Sequence, residues 1–466
     1  TSTQLFSDVK LPNKELSSGL KYIECMRTDS KGNVWIASSS SGLIVFNNEL
    51  EKWDQCVHDA FNDKSLADNK TLSLFEDRSG MMWAGTASRG VDRMSTKPEK
   101  FKSYILQPGK LNSLCENDIT CAREDSKGNL WIGSKSGLMY FDRRTNTFKC
   151  FRHDESQSNS LTDNRIYAID IDSLDHIWVG TNEGLNYYNP ETDKWSVYKY
   201  NEKNIDGLPG KIVMDVFVRS NGKIWAATNG MICELKSKSG IFENQFNNSN
   251  IAKHKRAFYC TLFEDSHKTI WLSTTRSGIL RVNDHFEIIP GIKTSKEFNP
   301  GIVHQFAEDS HGNIWMATDH GLYLWNRSND SINRYCNVSD IFCENILSVI
   351  IQDDQEIWIS TSKGLSHIVL NQNFEIEFHR QYTVHDGLQS NAFNSFAGIR
   401  LSTGELFFGG INGFNIFEPS SIRQNEYIPE VSISSFKVFD KEFDSSRDFI
   451  NSGTIELNYQ QNFFSF

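Results

Sequence analysis

Residues 125–142 read D-S-K-G-N-L-W-I-G-S-K-S-G-L-M-Y-F-D. A polar turn holding a Gly leads through one apolar residue to Trp. A short apolar strand then ends in a small residue, and a polar loop with a second Gly introduces another strand. This unit occurs nine times. Its Trp falls at positions 35, 83, 131, 178, 225, 271, 315 and 358, Phe407 fills the ninth slot, and successive copies lie 43 to 49 residues apart. A period in this range, with about four strand-sized segments per copy, predicts an all-β fold of propeller blades.

The fourth copy shows why. Residues 166–172 (IYAIDID) are apolar and β-prone, and 177–181 (IWVGT) form a second strand after a turn. Asn182-Glu183-Gly184 makes a tight connection in which Gly takes positive φ at no Cβ cost. Residues 185–188 continue as a third strand and 195–200 alternate as a fourth, outer one. A single such sheet cannot bury both faces. Radial stacking covers them and puts the recurrent Trp between blades, where a large aromatic gives the most burial per residue.

Between copies lie polar hinges, SLADN at 65–69, SLCEN at 113–117 and SLTDN at 160–164. The ninth copy lacks an outer strand: after 413–417, Glu418-Pro419 ends the pattern. A propeller closes when an early strand completes its last blade and removes the free edge. The segment 100–105 (KFKSYI) suits that role. The expected organisation is therefore a seven-bladed ring over 99–420, the last two blades of a preceding propeller over 1–98, and the start of an Ig-like β-sandwich over 421–466. The alternative is one ring of most or all nine copies, closed by residues 4–9. Seven is preferred because propellers run from four to eight blades.

Composition narrows the class. Net charge is −11, from 48 Lys and Arg against 59 Asp and Glu, which disfavours a nucleic-acid surface. Apolar runs stay far below the 18 residues of a membrane helix, and helical periodicity is nearly absent. The chain begins at Thr1 and stops at Phe466 inside a strand-like run, so it reads as a piece of a longer protein. The nine Cys (25, 56, 115, 121, 150, 233, 260, 336, 343) show neither a Cys-x-x-Cys nor a zinc spacing, and most sit in or beside strands. They read as buried free thiols; the close pairs Cys115/Cys121 and Cys336/Cys343 are not expected to be bridged.

The recurrent Trp could stack on sugars, but their fixed slot favours packing. The recurrent Asp does not alternate with other oxygen ligands as a calcium loop requires, and Asp-Ser before Gly is ordinary turn chemistry, so no metal or cofactor is expected. The turn has two residues between Asp and Gly, against one in the Asp-box of sialidases. No nucleophile elbow or phosphate loop is present, and the sequence cannot set two carboxylates across a glycosidic bond. No catalytic residue is assigned. The loops between second and third strands emerge on one face, where binding residues concentrate. They carry Lys135 with Ser136, Asn182 with Glu183, Asn229, Arg276 with Ser277, Asp319 with His320, Ser362 with Lys363, and Asn412. Lys135, Arg276, His320 and Lys363 could pair with the carboxylates or sulfates of an anionic glycan.

The segments 386–391 (DGLQSN), 404–413 (GELFFGGING) and 417–419 (FEP) resemble the last propeller blade in the sensor region of hybrid two-component systems, common in gut Bacteroidetes. The tail from Pro429, with 457–466 (LNYQQNFFSF), resembles the opening of the Ig-like triple-tyrosine domain that follows there. The resemblance spans essentially the whole chain. It implies a periplasmic, non-enzymatic sensor of two seven-bladed propellers and a sandwich. A membrane helix, a histidine kinase, a receiver and a DNA-binding domain follow in that family, outside this sequence. The implied partners are an oligosaccharide and a second copy of the full-length protein. A secreted propeller hydrolase or lyase, and a protein-interaction propeller, are the alternatives.

Overall fold

A computed structural model describes residues 22–48, 51–60, 65–95, 100–109, 112–157, 159–204, 206–229, 231–237, 239–244, 259–274, 278–283, 289, 293–294, 300–335, 345–372, 374–422, 436–439, 441–442, 457, 459–460 and 462–465. The chain divides into two compact units, Thr1–Ile422 and Arg423–Phe466. The expected strand at 4–9, the Cys336/Cys343 pair, and Arg276 with Ser277 lie outside the described residues.

The first unit is built of antiparallel meanders, most of them four-stranded among the described residues. The earliest holds Ile23–Thr28, Val34–Ser38, Gly42–Asn47 and Lys52–Cys56 in that order, and a three-stranded sheet of Thr71–Glu76, Met81–Thr86 and Val91–Ser95 follows. The next seven sheets have inner strands Ile119–Glu124, Ile166–Ile171, Val213–Val218, Tyr259–Glu264, Val303–Glu308, Ile346–Ile351 and Phe393–Arg400. Each inner strand neighbours the next, and the last neighbours the first, so these seven form a closed ring. Lys102–Tyr104 supplies the outer strand of the seventh sheet, pairing antiparallel with Gly413–Phe417 through Phe414↔Tyr104 and Ile416↔Lys102.

Four residue patterns in the repeat explain its fold. The Asp six positions before Trp accepts the indole N–H, at 2.9 Å for Asp29–Trp35, 2.7 Å for Asp77–Trp83 and 3.1 Å for Asp265–Trp271. Its other oxygen accepts main-chain N–H groups of its own turn, as in Asp125 with Lys127 and Asn129 at 3.0 and 2.9 Å. One carboxylate thus shapes the hairpin and fixes the buried ring. A Ser or Thr at the end of the second strand donates to the carbonyl three residues on, as Thr318 does to Gly321 at 2.7 Å. In the hinges, Asn accepts the main-chain N–H that enters the loop (Asn69 from His58 at 2.6 Å, Asn117 from Leu106 at 2.7 Å) and Leu is buried (Leu66, Leu114, Leu161).

The fourth pattern joins blades. The second residue of the turn, a Ser, binds an acidic residue of the next copy: Ser30 to Glu76 at 2.6 Å, Ser220 to Glu264 at 2.9 Å and Ser266 to Glu308 at 2.6 Å. In the first ring blade, Glu124 takes this contact from Ser402 of the seventh, at 2.9 Å, and the second repeat has Arg78 where these copies have the clamping Ser. The clamp therefore closes on the ring. The Trp side chains are packed between sheets: Trp178, Trp225, Trp271, Trp315 and Trp358 are at most 2 % exposed, so they are packing residues.

One cysteine expectation is corrected. Cys115 forms a disulfide with Cys150, and its sequence neighbour Cys121 stays a buried free thiol. The hinge carrying Cys115 folds back over the outer strand Thr147–Phe151 of its own blade, a return that sequence proximity does not reveal. Cys25, Cys56 and Cys233 are free, as expected.

In the second unit, Lys437–Val438 pairs with both Lys441–Glu442 and Phe464–Ser465. Phe436 stacks on Phe464 at 5.7 Å. Most of the β-sandwich opening expected over 421–466 lies outside the described residues.

Candidate functional site

The loops between second and third strands share a face with the hinges. Their main chain bonds to the residue just before an inner strand: Lys135 N–H to the Asp118 carbonyl at 3.2 Å, Asn229 to Ile212 at 3.0 Å, Asn182 to Arg165 at 3.3 Å. Several side chains expected to meet ligand have protein partners. Lys135 Nζ lies 2.6 Å from Asp118, and Glu183 accepts from Lys211 at 2.6 Å. Asp319 accepts from the Ile302 N–H at 3.0 Å and faces His304 Nε2 at 2.9 Å. Asn412 accepts from Asn117 at 3.1 Å and donates to the Gln389 carbonyl at 3.1 Å. The His320 N–H lies 3.2 Å from the Thr318 hydroxyl, and the Lys363 carbonyl accepts from Gln381 at 3.0 Å. The candidate residues therefore sit at the rim of one face, four of them tied to the hinge or inner strand beside them. The charge of Lys135 is compensated by Asp118.

A second feature lies in the inner strands. In six ring blades one extra residue interrupts pairing between the first and second strands, and the skipped positions are Thr120, Tyr167, Met214, Cys260, His304 and Leu347. Such bulges re-aim side chains and cluster beside sites. In the seventh blade the interruption widens to 394–397, and Phe396 takes φ +64°. Tyr167, Met214 and Phe396 line an axial cavity of about 560 Å³ that all seven inner strands enclose. His304 stands edge-on to Phe396, with ring centroids 6.2 Å apart.

Charges also face this cavity. Arg123 Nε lies 3.2 Å from Asp170. The other Asp170 oxygen accepts the Val218 N–H of the next blade at 2.7 Å, and Asp215 does the same to Leu262 at 2.7 Å. Gln305 bridges Gly398 and Val349 at 3.0 and 3.2 Å. These side chains staple inner strand to inner strand. Burial raises the Asp170 carboxyl despite Arg123. Burial pushes Asp215 up to about 7; the Leu262 N–H and Arg123 oppose that shift, and Asp170 adds to it. Because the folded value exceeds the unfolded one, ionising Asp215 costs stability, and the cost grows as pH rises from about 4 to 7. Between pH 5.5 and 8 the wild type should lose about 2 kcal/mol relative to Asp215→Asn, read by urea unfolding at both pH values. Parallel curves would refute that assignment.

A third feature is an open cleft of about 540 Å³ on the outer rim, bounded by the hinge at 150–161 and by Trp195.

The family model described as two component regulator propeller matches residues 113–136, 160–183 and 297–320. Each match covers a hinge or its counterpart, an inner strand, the Asp turn and the Trp strand. Histidine kinase P4 of Formosa agariphila is 26 % identical over 195 residues, 38 % of this chain and 13 % of that protein. The extracellular domain of hybrid two component system BT3049 from B. thetaiotaomicron is 21 % identical with TM-score 0.76, over 95 % of this chain and 58 % of that one. The extracellular domain of BT4673 from the same organism is 20 % identical with TM-score 0.56, over 90 % of this chain and 56 % of that one. The chain thus spans little more than half of these solved extracellular regions and a small part of the curated relative. In its fold the chain is a β-propeller, and three of its repeats match the two component regulator propeller model.

Proposed function

We propose that the chain is the extracytoplasmic sensor region of a hybrid two-component regulator, lying in the periplasm, and that it binds an oligosaccharide without turning it over. The observation that carries this reading is the likeness of 95 % of the chain to the extracellular domain of one such system. Geometry supports it from the other side. One face gathers polar loops, and an aromatic-lined axial cavity is walled by every blade of a rigid ring. A ligand touching several blades favours one arrangement of the sensor region over another. Its differential affinity is what shifts the population and reaches a kinase elsewhere in the full protein. The full-length regulator acts as a homodimer in this reading.

The test is a thermal-shift and turnover screen of the intact chain against charged and neutral oligosaccharides. A ligand at 100 times its dissociation constant stabilises the fold by roughly 2.7 kcal/mol. A shift with one oligosaccharide, recovered unchanged afterwards, is the expected result. Cleavage of the ligand would replace the sensor reading with an enzymatic one, and silence across the panel would point to a protein partner.

A further inference from the structure

We propose that the rim cleft between the 150–161 hinge and Trp195 is a saccharide subsite that takes an uncharged sugar ring. This rests on the oligosaccharide reading above and deepens it by naming a place and a ligand character.

The cleft has fixed walls. The Cys115–Cys150 disulfide anchors its start. His153 Nδ1 lies against the Leu161 carbonyl, and the His153 N–H reaches Asn164 at 2.7 Å. The Asp154 N–H donates to Ser160 at 3.1 Å, and the Trp195 N–H donates to the Asn159 side chain at 2.8 Å across the opening. The loop is held by its own hydrogen bonds, so a ligand need not order it.

Trp195 supplies the platform. It is half-buried, backed by Tyr188 at 4.6 Å and Phe151 at 5.9 Å. Of its counterparts by strand register, Phe242 and Ile332 are buried at 7 % and 1 % exposure, while Trp53 and Phe148 are half-buried like it. Of these aromatics, Trp195 is the one that borders the cleft. A rigid aromatic body with a polar edge, beside a few convergent polar groups, suits the C–H face and hydroxyls of a pyranose. The surrounding side chains supply both hydrogen-bond signs: Arg152 and His153 against Asp154 and Glu155, with the amides of Gln157 and Asn159. The Ser156 hydroxyl holds the Asp154 carboxyl below the usual range, so this acid stays ionised. Two acids, Asp154 and Glu155, face one guanidinium, Arg152, and the subsite has no net pull on an anion. A volume near 540 Å³ accommodates a ring or two with open ends.

Calorimetry of the intact chain decides it, using neutral oligosaccharides that shift the wild type and sulfated forms of the same sugars. Trp195→Ala should weaken the neutral ligand at least tenfold, Trp195→Phe about threefold or less, and the exposed Gln157→Ala about threefold. Sulfation should weaken wild-type binding. Were Trp195→Ala to fail to fold, Gln157→Ala and Glu155→Ala, both exposed, would carry the test. Unchanged affinity in Trp195→Ala, or in both exposed variants, overturns the cleft assignment while leaving the sensor reading intact. Tighter binding of the sulfated sugar overturns the uncharged-ring assignment. Failure of the wild type to bind any sugar overturns the sensor reading and this subsite with it.

Discussion

Trp271→Ala is expected to destabilise the ring by about 4 kcal/mol, the cost of emptying a large aromatic site in a close-packed interior. Trp271 is fully buried and packs against Trp325, ring centroids 4.9 Å apart, and Phe306 at 6.2 Å. Its indole N–H donates to Asp265, which also receives Arg327 at 3.0 Å and is itself 2 % exposed. The truncation opens a cavity between two blades and takes one donor from a buried carboxylate. Trp271→Phe separates these contributions. It keeps most of the burial and loses the hydrogen bond, so about 1–2 kcal/mol should go. Urea unfolding followed by circular dichroism reads both variants. Equal losses in the two would mean that the indole hydrogen bond, and not the filled volume, holds the interface.

Gly413→Val should have an effect of the same order at the point where the ring is sealed. A Cβ there would sit 2.0 Å from the Tyr104 carbonyl, on backbone at φ +100°. The clash is with main chain, which cannot swing aside, and a β-branched residue is strained at that φ. The strand Lys102–Tyr104 must then leave, uncovering Phe101, which is fully buried against Tyr382 and Phe417 at 5.0 and 4.7 Å. Losing that contact costs about 3 kcal/mol or more on top of the strain. Gly222→Ala is the control: φ is +80°, yet no atom lies within 4 Å of the added Cβ. It should cost about 1 kcal/mol from backbone strain alone. Limited proteolysis near residues 105–112 should be fast in Gly413→Val and unchanged in Gly222→Ala. Equal resistance in both would show that the short closing strand is not what holds the seventh blade.

The blade architecture was legible because each element leaves a periodic mark. Trp sits in one slot of every blade but the last, where Phe407 stands, and the turn Asp, the Gly and the hinge Asn recur at fixed offsets in most copies. The closing strand was legible from a deficit, the missing outer strand after Phe417. The bulges at Tyr167 and His304 were not legible, since an extra residue in a strand leaves no compositional trace when its neighbours are also β-prone. Asp170 and Asp215 did leave one, as acids inside otherwise apolar inner strands. The loop tips do share one face, but the sequence could not show that Lys135 meets Asp118 or that Glu183 meets Lys211. Pairings across a fold have no fixed spacing. The Cys115–Cys150 bridge escaped for the same reason.

The strand that seals the ring also carries the connection to the two repeats before it, since Lys102–Tyr104 follows Val91–Ser95 along the chain. Tension between those repeats and the ring is therefore borne first by a three-residue strand lying along Gly413–Phe417, loaded in shear, with the buried ring of Phe101 as its anchor. Mechanically the seal is in series with the linker. A displacement of the earlier repeats has a direct line to the seventh blade, and that blade leads straight into the chain's second unit at residue 423.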